Sequence, residues 1–130
     1  MVFWVTEKLR KYDAGVMELG LEYTDKMMIP PHHPGFLLTG VCNRECTSVG
    51  LVQDGITIFA SQLHTHLTGT RVVTRHLRPE KSHCSKCAKK DDKYAELPYL
   101  NWDNHYSTHF QEIRKLKLPR IVYPVSIEQK

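Results

Sequence analysis

The sequence predicts an all-β chain, a partial β-sandwich of antiparallel strands. Three observations carry that expectation. Residues 16–23 alternate apolar and polar, a long β-rich run from Ile56 to Leu67 ends on a Thr-Gly-Thr break, and neither heptads nor a long amphipathic helix occur. The 130 residues suffice for one domain. Hydrophobic residues at 41% and charged ones at 25% are ordinary globular usage, which argues against a disordered or collagen-like chain. The net charge of +4 is modest and spread along the chain, so no nucleic-acid footprint is expected. Apolar runs reach only about five residues, too few for a membrane span. Met1-Val2-Phe3-Trp4-Val5 lacks the basic start and the apolar length of a signal peptide.

The elements follow in order. Met17, Leu19, Leu21 and Tyr23 share one face of a first strand, with Glu18 and Glu22 exposed on the other and Met17 expected in the core. Pro30-Pro31 stops it, since proline cannot donate into a ladder. Phe36 to Val41 reads as a second strand leading into Cys42. Asp54-Gly55 marks a turn, and Ile56–Leu67 is expected to form a hairpin with Arg71–Leu77. Pro79 to Lys93 is polar and reads as an exposed loop. Phe110 to Leu118 is a further strand, and Pro119 and Pro124 argue against a regular ending.

Eight histidines and two close cysteine pairs, Cys42/Cys46 and Cys84/Cys87, carry the candidate chemistry. Neutral imidazole is the commonest protein metal ligand. The informative run is Gln62-Leu63-His64-Thr65-His66. On a strand, positions i and i+2 face the same way, so His64 and His66 can converge on one ion; on a helix they would lie about 200° apart. Gln62 shares their face. Two imidazoles are an incomplete set, because zinc or copper takes three or four ligands. His32-His33 reads as an exposed pair in a Pro-rich connection, His76 as a solvated residue on the hairpin arm, and His105 and His109 as structural.

Several runs resemble the copper type II, ascorbate-dependent monooxygenases, nearest their dopamine and tyramine β-hydroxylase branch. They are Lys8–Leu21, Gly40-Val41-Cys42 through Cys46-Thr47, "GITIFASQLHTHLTG", Asp103-Asn104-His105-Tyr106-Ser107 and His109-Phe110-Gln111-Glu112-Ile113-Arg114. Together they span about residues 8–78 and 101–118. The resemblance implies two jelly-roll β-sandwich domains with one copper each. The first copper, on three histidines, passes an electron; the second, on His-x-His and one methionine, binds dioxygen; ascorbate reduces both. His64 and His66 match that His-x-His, so residues 1–130 are expected to be an incomplete C-terminal, oxygen-binding copper domain with a partial jelly roll. The family's first copper domain and the methionine ligand are expected to lie outside residues 1–130.

The resemblance further implies hydroxylation of the β-carbon of a phenylethylamine, dopamine or tyramine, in catecholamine or octopamine biosynthesis, within secretory vesicles or outside the cell. Gln62 stands where peptide-amidating relatives carry an arginine for a substrate carboxylate, which suits a substrate without one. Cys42 and Cys46 resemble cysteines whose disulfide partners lie farther along the family's chain. The stretch at about 79–100 reads as an atypical insertion, and its Cys84-Ser85-Lys86-Cys87 is foreign to the family. Cys84 and Cys87 are read as free or mutually oxidised thiols, or as zinc ligands with His83 and His76. This chain by itself is expected to be an inactive fragment. The alternative is a non-catalytic remnant that binds copper or zinc.

Overall fold

The computed structural model describes residues 1–21, 23–79 and 94–124. Glu22, Cys84, Cys87 and most of the expected 79–93 loop lie outside the described residues. Among the described residues the chain is all-β apart from one short helix and two single 3-10 turns at Asp25–Met27 and Thr108–Phe110. Helix α1 spans Arg44–Gly50, and the strands are β1 (Ile56–Ser61), β2 (Val72–Pro79), β3 (Tyr94–Asp103) and β4 (Arg114–Val122). They form two antiparallel two-stranded sheets, β1 with β4 and β2 with β3.

The expected β1–β2 hairpin does not form. Each strand takes a partner farther along the chain, Ile56 pairing with Val122 and Val72 with Asp103. The Thr-Gly-Thr break lies beyond the end of β1, so it never serves as a two-residue hairpin turn. Both ladders slip once, and each slip holds a proline. Pro119 falls between the pairs Ile58↔Arg120 and Ala60↔Lys115, and Pro98 between Thr74↔Asn101 and His76↔Leu97. A bulge frees one strand from donating, which is how β4 accommodates Pro119 where the sequence argued against regularity.

Among the described residues no ladder forms at the strands expected over 16–23 and 36–41. Alternation needs a buried face to become a strand, and Met17 is 40% exposed instead of lying in a core. The two segments do meet at one point: a Cβ added to Gly40 would stand 3.0 Å from the Gly20 Cα. Among the described residues that backbone contact is not continued by hydrogen bonding.

Helix α1 starts on a conventional cap. The Asn43 side chain accepts from Cys46 N at 2.9 Å, and Glu45 stands in the first turn, where the helix dipole favours an acid. That turn brings the Cα atoms of Cys42 and Cys46 to 5.5 Å, and the two are joined as a disulfide. The expectation of partners elsewhere is corrected here. Helical winding, which spacing alone does not reveal, supplies a Cα separation within disulfide range.

The core is thin. Among the described residues only Leu63 and Tyr106 are buried apolar side chains. Polar links hold the two sheets together: Asn101 Nδ2 donates to Ser61 Oγ at 3.3 Å and Arg78 Nη2 to Ile121 O at 2.8 Å, while Arg114 lies 4.0 Å from Asp103.

Candidate metal centre

β1 ends at Ser61, but the alternation of burial continues past it. Leu63 is buried and Thr65 half-buried, while Gln62, His64 and His66 are exposed. Those three therefore share an open face. Upstream on the same alternation Ile56, Ile58 and Ala60 are half-buried, so this face runs from apolar and covered to polar and open.

The two imidazoles stand edge to face, with centroids 5.2 Å apart and planes at 84°. A metal–imidazole bond is about 2.0–2.1 Å, so two rings on one ion lie roughly 5 Å apart, and the spacing is compatible with a shared ion. His64 is oriented from behind. Its Nδ1 hydrogen-bonds Gln111 Oε1, and Gln111 Nε2 donates to Thr108 O at 2.8 Å, which fixes the amide the right way round. A carbonyl oxygen only accepts, so Nδ1 carries the proton and Nε2 keeps its lone pair for a ligand.

The backbone between the rings is equally well held. Thr65 N donates to Tyr106 Oη at 2.9 Å, and the same hydroxyl donates to Thr65 O at 3.1 Å. Gly69 N closes the following turn on His66 O at 3.0 Å. A Cβ on Gly69 would meet the Thr65 Cβ at 2.6 Å, so this turn needs glycine.

The donor set is part of a site that copper or zinc could use: two imidazoles on an open face, one with its coordinating nitrogen selected. Among the described residues no cluster of three or more His, Cys, Asp or Glu could hold a metal, so His76, His105 and His109 do not complete it. His76 is half-buried, not solvated as expected. Its Nδ1 is buried without a partner, and burial, then Arg78 and Arg120, push its pKa below the usual value. His105 and His109 are exposed, with backbone amides held by Asp103 and Ser107. His32 and His33 are exposed, His32 at φ 58° and His33 edge-on to Phe36. Gln62 is exposed.

Sequence reading named the two imidazoles and overlooked Gln111 and Tyr106. Both sit inside the quoted runs at 103–107 and 109–114, but only the fold shows which residue each one touches.

Residues 12–125 match the family described as "Copper type II ascorbate-dependent monooxygenase, C-terminal domain". This chain belongs to that family. It is 50% identical over 121 residues to dopamine beta-hydroxylase of Homo sapiens, covering 93% of this chain and 17% of that protein. It is 39% identical over 115 residues to tyramine beta-hydroxylase of Caenorhabditis briggsae, covering 88% and 17% respectively. DBH-like monooxygenase protein 1 of Homo sapiens is 35% identical over 122 residues, covering 92% and 18%. The chain thus spans under a fifth of the length of these monooxygenase relatives. The family match extends beyond residue 118, further than the quoted runs, and residues 94–100 of the stretch expected as an insertion belong to β3. Among the described residues no helix is long and apolar enough to cross a membrane.

Proposed function

We propose that this chain contributes the oxygen-side copper site of a monooxygenase that hydroxylates the β-carbon of a phenylethylamine. The observation that carries the reading is the exposed His64/His66 pair with His64 Nε2 left free by Gln111. His64 and His66 would hold the copper, with a methionine outside this chain as a further soft ligand. When bound, copper supplies one-electron redox chemistry toward dioxygen, with ascorbate as the reductant. The work of the chain's own residues is positional. Gln111 selects the coordinating nitrogen of His64, and Leu63 anchors the strand beneath the rings. Gln62, on the same open face, offers an amide to a substrate that lacks a carboxylate, such as dopamine or tyramine. The Cys42–Cys46 bond suits an oxidising compartment, a secretory vesicle or the extracellular space.

Two imidazoles with no third His, Cys, Asp or Glu beside them among the described residues favour a second reading for the isolated 130 residues: copper binding without turnover. Titration of the chain with Cu(II), followed by electron paramagnetic resonance, tests the first reading. One equivalent with nitrogen hyperfine structure, lost in His64→Ala and in His66→Ala, supports it. Binding that survives both substitutions overturns it. Ascorbate-driven hydroxylation of tyramine by the isolated chain would overturn the second reading.

A further inference from the structure

Where β1 leaves β4, the backbone of Thr65 loses the strand that would have satisfied it. In an antiparallel ladder one facing residue takes both the N–H and the C=O of its opposite number. Among the described residues no strand faces Thr65, yet both of its polar backbone atoms are bonded, and to a single atom. The Tyr106 hydroxyl accepts from Thr65 N at 2.9 Å and donates to Thr65 O at 3.1 Å. One phenolic oxygen, with one proton and two lone pairs, therefore does the work of a whole ladder partner. Tyr106 is itself immobilised: it is 7% exposed, and its backbone N donates to Thr70 O at 3.0 Å, across the turn that follows His66.

The bridged residue is the one between the two histidines. An extended Thr65 is the condition for His64 and His66 to face the same side, since a twist there would turn one imidazole away. We propose that Tyr106 is a positioning residue of the site, a side-chain substitute for a β-strand that holds residues 64–66 extended so that both imidazoles point outward together. Its consequence for copper rests on the proposed function above; its consequence for the backbone does not.

Tyr106→Phe tests both parts, because it keeps the buried ring and removes only the bridging oxygen. In metal-free protein, the Thr65 amide is expected to be protected from hydrogen exchange and to lose that protection in Tyr106→Phe. The amides of β2 and β3 should stay protected, showing that the fold survives. With Cu(II) ion as the probe, affinity is expected to fall about tenfold, the low end for loss of an outer-shell partner. The single paramagnetic resonance signal should also broaden into a mixture. Arg78→Met removes an inter-sheet hydrogen bond far along the chain from this segment and serves as the control. It should lower the melting temperature while leaving the copper signal as in the parent chain. A Thr65 amide equally protected in Tyr106→Phe overturns the strand-substitute role. An unchanged copper affinity and signal in that variant overturns the positioning role. If the parent chain binds no copper through His64 and His66, the functional reading fails and amide exchange alone decides for or against the bridge.

Discussion

Two histidine pairs lie on the surface of this molecule, and they are not equivalent. His32 and His33 are adjacent in a Pro-Pro-His-His-Pro connection, one with a positive φ and the other against Phe36. His64 and His66 are separated by one half-buried residue, with Gln111 on one ring and Tyr106 on the residue between. Both pairs are exposed and both are imidazole, so neither exposure nor residue type distinguishes them. The difference is what stands behind the rings. A ligand pair is made by the groups that fix which nitrogen is free and which way each ring faces.

The sharpest way to break this comparison is to remove each pair in turn. His64→Ala or His66→Ala is expected to cost more than about 100-fold in Cu(II) affinity, beyond the range for outer-shell losses. The double change His32→Ala with His33→Ala should leave the titration unaltered. Equal losses at both pairs would erase the distinction. The next effect is smaller and isolates the hydrogen bond. Gln111→Leu removes the acceptor from His64 Nδ1 but keeps the imidazole, and about 10- to 100-fold weaker copper binding is expected by calorimetry. Gln111→Glu should retain affinity, because a carboxylate also accepts from Nδ1.

A third histidine sharpens the contrast with the smallest effect. His76 is half-buried against Arg78 and Arg120, and its pKa is lowered by burial first and by the two arginines after it. The folded state therefore favours the neutral ring. As pH falls below about 6.5, the unfolded chain takes up this proton before the folded one does. The stability that neutral His76 contributes is thus full above that pH and declines as pH drops toward the folded value. The denaturation midpoint should fall on mild acidification, and less so in His76→Leu. A parallel decline in both proteins would show that other groups carry the acid sensitivity.

What was legible in the sequence divides along the same line. His64, His66 and their shared face with Gln62 follow from a two-residue period, and so does the all-β class. The period does not say which strand pairs with which. Ile56–Ser61 seeks β4, not the neighbouring segment, because pairing depends on what the intervening chain can close. The alternation at Met17–Tyr23 predicts a strand, but alternation only marks a face fit for burial, and no described segment forms a ladder there. The Cys42–Cys46 bond was missed for a related reason. Four residues along an extended chain are too far apart for it, and four along a helical turn are not. Tyr106 and Gln111 were hidden because each acts across more than 40 residues of sequence, where no local pattern reaches.

The pairing of β1 with β4 also sets an order of assembly. Only residues 80–93 separate β2 from β3, Pro79 pairing with Tyr94, whereas Ile56 must find Val122 with the other sheet in between. Closing the longer loop costs more chain entropy, and non-local ladders form more slowly. The β2–β3 hairpin is therefore expected to be protected early in pulsed hydrogen exchange during refolding, and β1 late; simultaneous protection would refute that order. His64 and His66 are therefore expected to settle in the last part of the molecule to form. Tyr106 and Gln111 lie between β3 and β4 and reach His64 and Thr65 only after the chain has turned back on itself. Copper would then reach a site already finished by folding, and could not serve as the nucleus around which the chain condenses.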